Sequence, residues 1–275
     1  MKKRFLLVLL LIFLSFSAFA QTGMRIVLEE YRGELTIIRA EGTTRELIIP
    51  AIINDMPITA IGEGAFTRKG LRLVSIPDTV VDIGENAFSY NELTTIVIGD
   101  SVETIGRSAF ANNRINDLTL GEGLITIGMG AFANNEIGRL SIPDSVSSIE
   151  PYAFFLNLLR TITIPDNVTY IGEGAFSSNR LYDVVLGASV EVIGDGAFFN
   201  NQITRITIPD NLSILGRRVF EGRLTRMVSV PPVDYVLESG EVLYTTSNNF
   251  DTYFTATGRR PGNYIFSPDG WELEE

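Results

Sequence analysis

The chain has 275 residues, 45% of them apolar, which is enough to bury a sizeable core in one or two domains. It contains no His and no Cys, which excludes a Ser-His-Asp triad, a cysteine nucleophile, a His or Cys zinc site, the usual haem ligands and any disulfide. The formal net charge is −11 and lysine and arginine form no long runs, so nucleic acid and anionic membrane surfaces are poor partners.

Residues 1–20 read as a secretory signal peptide. Lys2, Lys3 and Arg4 make a basic start, Phe5 to Leu14 is an unbroken apolar run, and Ala18-Phe19-Ala20 offers small residues where signal peptidase reads. The alternative, a transmembrane anchor, needs roughly 18–20 apolar residues, more than the stretch from Phe5 to Ala20 supplies. Residue 21 is Gln, where a bacterial lipid anchor needs Cys. Removal of the peptide takes the formal charge from −11 to −14. Residues 21–60 then read as an opening unit that shields the first of the repeats.

From residue 61 to residue 231 the chain repeats itself. Phenylalanine recurs every 22 residues, at Phe66, Phe88, Phe110, Phe132, Phe154, Phe176, Phe198 and Phe220. Five residues before each Phe stands an aliphatic residue, from Ile61 through Ile127 to Leu215, and the preceding residue is Ala, or Val219 in the last copy. Eight and ten residues after it stand pairs such as Val74 and Ile76, Leu140 and Ile142, and Ile162 and Ile164. These pairs alternate with small or polar residues, the period of a strand with one buried face. Pro or Gly comes next, as at Pro77, Gly99 and Pro143, and ends the strand because Pro cannot donate to a ladder. A second short extended piece holds Val80 and Ile83 and their equivalents. The Gly-x-x-Ala-Phe segment predicts one turn of tight helix and a bend back.

One such unit cannot fold alone. Its roughly seven apolar side chains gain ~1.5–3 kcal/mol each on burial, while ordering its backbone costs ~1–2 kcal/mol per residue. Contacts between neighbouring units supply the difference, so the units come as an array. The predicted fold class is therefore a repeat solenoid with parallel β-strands and short helical turns, capped at both ends. Residues 232–275 read as the closing segment.

The pattern Leu-x-x-Ile-x-Ile-Pro-x-x-Val-x-x-Ile-Gly-x-x-Ala-Phe, seen from Leu159 to Phe176 and, with Gly for Pro, from Leu93 to Phe110, resembles the BspA-like, or treponemal, class of bacterial leucine-rich repeats. The resemblance runs from about Glu29 onward. Leu47 to Phe66 is similar to the family's longer opening unit. Residues 250–275, with Tyr253, Gly258, Gly262, Tyr264 and Trp271, are similar to a closing segment of spirochaete members. The resemblance implies a secreted or cell-surface role in adhesion to host proteins such as fibronectin and fibrinogen, or to other bacteria. Where many members place Cys three residues after the Phe, this chain has Asn91, Asn113, Asn135, Asn157, Asn179 and Asn201. A buried amide can donate to one turn and accept from the next, so this column is expected to tie the bends together.

Candidate partner-binding residues are those that break the repeat. The fifth copy reads Glu150-Pro151-Tyr152-Ala153-Phe154-Phe155-Leu156-Asn157, and Tyr152, Phe155 and Leu156 replace the Gly, Ser, Asn or charge found elsewhere. Phe199 shares the column of Phe155 two turns on, ~10 Å away along one edge. Tyr90 and Tyr182 are further outliers at variable positions. Exposed apolar groups that cluster mark partner sites; the competing expectation is that the edge folds inward and covers them. Arg139 and Arg205 belong to an exposed strand row with Asp117 and Asp183. Opposite charges on adjacent strands are expected to neutralise one another there. The Gly-x-Gly pairs at Gly62 and Gly128 belong to the bend and lack the third Gly of a nucleotide loop.

These observations predict a binding module for a protein partner, with no cofactor, no metal site and no membrane insertion once the signal is removed. The alternative is a structural, self-associating protein of the cell envelope. An enzyme is not expected, because the acids fall at repeating surface positions and no irregular insertion offers a cleft.

Overall fold

The computed structural model describes residues 24–203, 205–207, 209–220, 263–267 and 270–274, with the backbone alone for residues 205, 207, 263–267 and 270–274. The expected signal peptide, and much of the expected closing segment, lie outside the described residues. Strands β1 (Arg25–Tyr31) and β2 (Glu34–Glu41) form an antiparallel hairpin. Next come β3 (Glu46–Ile48), β4 (Ile52–Ile53) and β5 (Met56–Ile61), with β4 antiparallel to β5. The coils then supply β6 (Leu73–Ser75), β7 (Asp82–Ile83), β8 (Thr95–Val97), β9 (Thr104–Ile105), β10 (Asp117–Thr119) and β11 (Thr126–Ile127). The fourth coil adds only β12 (Ser148–Ile149). They continue with β13 (Thr161–Thr163), β14 (Tyr170–Ile171), β15 (Asp183–Val185), β16 (Val192–Ile193), β17 (Arg205–Thr207) and β18 (Ile214–Leu215). Finally, β19 (Asn263–Ser267) and β20 (Gly270–Glu274) form an antiparallel hairpin, with β19 antiparallel to β17.

The chain winds as a parallel solenoid with two strand-bearing faces. One face is a continuous sheet in the order β1-β2-β5-β7-β9-β11-β12-β14-β16-β18. Its register places Ile61, Ile83, Ile105, Ile127, Ile149, Ile171, Ile193 and Leu215 side by side, each 22 residues from the last. The other face carries the three-residue strands, which bury the middle residue and expose the flanking two, as at Asp117–Thr119. Here the ladder runs in pieces, β3-β6, β8-β10 and β13-β15-β17-β19-β20. The opening segment stacks directly on the repeats, because β3 pairs with β6 and β5 with β7 in parallel register.

Between the two sheets the eight phenylalanines stand in one column. Consecutive rings lie 5.2–5.5 Å apart between centroids and within 11° of parallel. All are buried, and only Phe220, at the end of the column, keeps a trace of exposure. The coil spacing imposed by the ladder, about 4.8 Å, is close to the offset-stacking distance of aromatic rings, so both geometries are satisfied at once.

The expected helical turns are absent; no helix occurs among the described residues. The Gly-x-x-Ala-Phe segment is instead a pair of overlapping β-turns. Ala65 N donates to Gly62 O (3.3 Å) and Thr67 N to Gly64 O (3.1 Å). Two features forbid a helix. A residue with φ near +60° interrupts each turn, including Gly64, Asn86, Gly130 and Gly174, as a type II turn demands at its third position. The amides also point to the neighbouring coil: Phe66 N donates to Ala87 O (2.8 Å) and Phe110 N to Ala131 O (2.8 Å).

The fourth coil departs from expectation a second time. Leu140 and Ile142 fit the strand pattern, yet residues 136–143 form no strand. The backbone groups of residues 138–142 make no hydrogen bond among the described residues, whereas the equivalent segments of neighbouring coils form ladders. Gly138 is the cause read from the residues: it has no side chain to pack on the sheet face and pays the largest entropy to become extended.

Candidate functional site

The buried asparagines are structural and follow one scheme. Asn135 Nδ2 donates to Phe110 O and Phe132 O (3.0 and 3.1 Å), and its Oδ1 accepts from Ile115 N (3.0 Å). The same three bonds recur at Asn113, Asn157 and Asn179. The Nδ2 thus serves its own coil and the preceding one, and the Oδ1 serves the preceding one. None reaches forward, which corrects the expectation of donating to one turn and accepting from the next.

The turn edge carries the apolar outliers. Tyr152 and Leu156 both occupy left-handed backbone, with φ of +59° and +53°. This conformation costs a side-chain-bearing residue roughly 1–2 kcal/mol, so the fifth coil holds two strained positions where other coils use Gly, Asn or Ser at most turns. The Tyr152 ring meets Phe155 edge-on at 5.9 Å. It also lies over Gly174, where an added Cβ would fall 2.5 Å from the ring. Its hydroxyl donates to the Glu173 carboxylate. That hydrogen bond, then burial, then the Glu173 charge hold the phenol above the usual tyrosine range. Phe155 and Phe199 are half-buried, and Arg218 lies over the Phe199 ring at 4.9 Å. Leu156 is 44% exposed. Tyr90 is exposed on the same column as Leu156, three coils earlier, with Arg68 over its ring at 4.6 Å. The edge therefore covers its phenylalanines in part and leaves Leu156 and the tyrosines open.

A second group lies on the interrupted face. A hollow of ≈ 870 Å³ is lined by Asp117, Glu136, Gly138, Arg139, Leu158, Arg160, Arg180 and Tyr182, among others. The hollow is shallow and open to solvent along one side. A second hollow, on the turn side, is lined by Asn134, Leu156, Leu158, Ser178, Arg180 and Asn200, among others. Leu158 and Arg180 line both, so the two hollows adjoin, with Leu156 in the turn-side one and Arg139 and Tyr182 in the other; together they make up the groove of the middle coils. The structure thus brings together Leu156, Arg139 and Tyr182 from the sequence candidates. Tyr152, Phe155, Phe199 and Tyr90 line neither hollow. Arg205 pairs with Asp183 in strand register, but its side chain lies outside the described residues.

The arginines of the groove lack acid partners among the described residues. Arg139 makes no direct ion pair with Asp117, although both line the same hollow. The ion pair that the coils do form joins different columns: Arg72 Nε lies 2.9 Å from Glu92 Oε2 in the next coil. At the equivalent positions of the fifth and sixth coils stand Arg160 and Arg180, two like charges. Leu158 is the apolar side chain in the column that holds Gly70, Glu92, Arg114, Glu136, Arg180 and Gln202. Leu158, Arg160 and Arg180 escape a reading of the sequence by itself. The signal that finds them is departure within a column once the pairing of columns is known.

Coils of strand, turn and strand, stacked on a phenylalanine column and an asparagine ladder, define the class: a leucine-rich-repeat solenoid. The chain matches the BspA type leucine rich repeat region in six copies, over residues 46–157 and 103–227, and it belongs to that family. Among solved structures it is similar to a leucine rich cell surface protein of Faecalibacterium prausnitzii A2-165, at 23% identity and a TM-score of 0.46 over 71% of this chain and 72% of that one. It is also similar to the leucine rich repeat protein of T. pallidum, at 20% identity and a TM-score of 0.42 over 74% of this chain and 89% of that one. The pneumococcal vaccine antigen PcpA is similar at 16% identity and a TM-score of 0.41, over 72% and 77% of the two chains. No curated protein matches the chain. Among the described residues no helix is long and apolar enough to cross a membrane.

Proposed function

We propose that this chain is an exported, non-catalytic binding scaffold that makes adhesive contact with a protein partner through the groove of its middle coils. The observation that carries this reading is the coincidence of three departures from the repeat in one place. The ladder opens at residues 138–142, Leu158 is apolar in a column that from Gly70 to Gln202 is otherwise polar, charged or Gly, and Arg160 and Arg180 stand at the positions where another coil forms an ion pair. A sheet kept only for stability gains nothing from unmade hydrogen bonds and like charges side by side. Leu156 and Tyr182 add exposed apolar area of the kind that anchors interfaces.

The test uses the mature chain immobilised and presented with fibronectin, fibrinogen and solubilised envelope proteins. The variant L156S/L158S is expected to weaken capture of whichever protein binds by about tenfold, the size of effect hot-spot truncations produce. Unchanged capture by a folded variant overturns the reading. The second reading, self-association in the envelope, draws on β1, whose only described strand partner is β2 and whose Tyr31 is 58% exposed. Sizing separates the two: a monomer independent of concentration supports the scaffold.

A further inference from the structure

The groove gathers positive charge on an acidic molecule, with three arginines set against two acids, Asp117 and Glu136. The chain as a whole is acidic, with a formal charge of −11 before any processing. Yet Arg139, Arg160 and Arg180 line the groove, are exposed, and form no ion pair among the described residues. Arg72 and Glu92 show what the geometry of these columns can do: a carboxylate on one coil reaches the guanidinium of the other at 2.9 Å. With Arg180 in place of the acid, and with neither Asp117 nor Glu136 in an ion pair with these arginines, a carboxylate from outside can make the same bonds. Guanidinium groups favour this, because their planar donors match a carboxylate in a two-point contact.

The second observation is the open backbone. Residues 138–142 leave five coil residues outside any ladder, and Ile142 among them is 6% exposed. Buried or half-buried amides and carbonyls are normally paired, by protein, water or ligand. A Cβ added at Gly138 would meet nothing within 4 Å, so there is room beside this backbone for another chain. Tyr182, in the same column as Gly138 and Arg160, offers an aromatic surface at the margin of the same hollow.

We infer that the groove takes an extended acidic segment of a protein partner, whose carboxylates meet Arg139, Arg160 and Arg180 and whose main chain bonds the open backbone of residues 138–142. The inference deepens the proposed binding function and rests on it. Main-chain bonds give the affinity and side chains the selectivity, as when a peptide adds to an exposed sheet. The overall acidity of the scaffold disfavours such a segment over most of the remaining surface.

The full mature chain is titrated into labelled peptides of alternating Glu and Ser, alternating Gln and Ser, and alternating Lys and Ser, followed by fluorescence anisotropy. The Glu peptide is expected to bind at least about tenfold more tightly than the other two. The double variant R139E/R160E is expected to lose that preference. R107E/R217E, an equal change of charge placed on turn arginines outside the groove, is expected to keep it. N-methylation of alternate amides in the Glu peptide is expected to weaken it further, which a purely ionic contact would not show. Equal binding of all three peptides, equal loss in both double variants, or indifference to N-methylation overturns the inference. A heparin fragment that binds where the Glu peptide does not assigns the groove to a sulfated glycan and overturns it as well. If the Glu peptide fails while L156S/L158S still weakens protein capture, this inference alone falls; if both fail, the binding reading falls with it.

Discussion

At the scale of single residues, the asparagine column shows how one side chain repeats a tertiary contact. Each Asn carbonyl is the acceptor for a buried amide of the preceding coil, such as Ile115 N for Asn135. The carbonyls it donates to are better served: Phe110 O also accepts from Asn113, and Phe132 O from Asn157. Asn135→Ala therefore strands one buried amide and leaves both carbonyls a second donor, at an expected cost of about 1–3 kcal/mol. Asn135→Asp keeps the acceptor but sets a carboxylate against two carbonyl oxygens, so it is expected to cost more near neutral pH. Its folded-state pKa is raised by that setting, so the deficit shrinks as pH falls through that value and protonation restores a donor. Urea unfolding of both variants across pH checks the order and the sign. A carboxylate variant that is the milder one near neutral pH would contradict the bonding scheme.

At the scale of elements, the question is why one strand of an otherwise regular row fails to form. The column six residues after each Phe from Phe66 to Phe198 reads Arg72, Thr94, Asn116, Gly138, Arg160, Tyr182 and Thr204. Among these only the fourth coil places Gly there, and among the described residues only that coil lacks its three-residue strand. The space beside Gly138 is open, so a β-branched residue fits without steric cost. Gly138→Thr is expected to stabilise the chain by up to about 1 kcal/mol through restricted backbone entropy and better sheet propensity. It is also expected to protect the amides of residues 139–141 from hydrogen exchange. Unchanged exchange there would show that the gap has another cause. The turns teach a related lesson. Gly-x-x-Ala-Phe has the look of a short helix, but residue 64 and its equivalents take φ near +60°, which ends any helical run before it starts.

At the scale of the whole molecule, stability passes from coil to coil, since each coil touches only its neighbours. Phe132 stacks on Phe110 and Phe154 at 5.3 and 5.5 Å in the middle of the column. Phe132→Ala is expected to cost about 3–5 kcal/mol as a cavity in a close-packed interior. Because the break falls mid-array, unfolding by urea is expected to separate into two transitions. The same change at Phe66, in the first coil of the stack, is expected to lower a single transition. A single sharp transition in Phe132→Ala would mean that the coils couple over longer distances than their contacts suggest.

The sequence alone determined the coil: its 22-residue length, the buried phenylalanine column, the aliphatic register from Ile61 to Leu215, and the structural part played by Asn91 through Asn201. It did so because each of these depends only on a residue's place within its own turn, and a fixed period copies that place onto every neighbour. Tertiary structure decided what happens between turns. It set the direction of the asparagine bonds, the pairing of the Arg72 and Glu92 columns, the opening of the ladder at residues 138–142, and the meeting of Leu158, Arg160 and Arg180 in one groove. Those features depend on which side chains of adjacent coils reach one another across the strand spacing, a relation that no single turn of sequence contains.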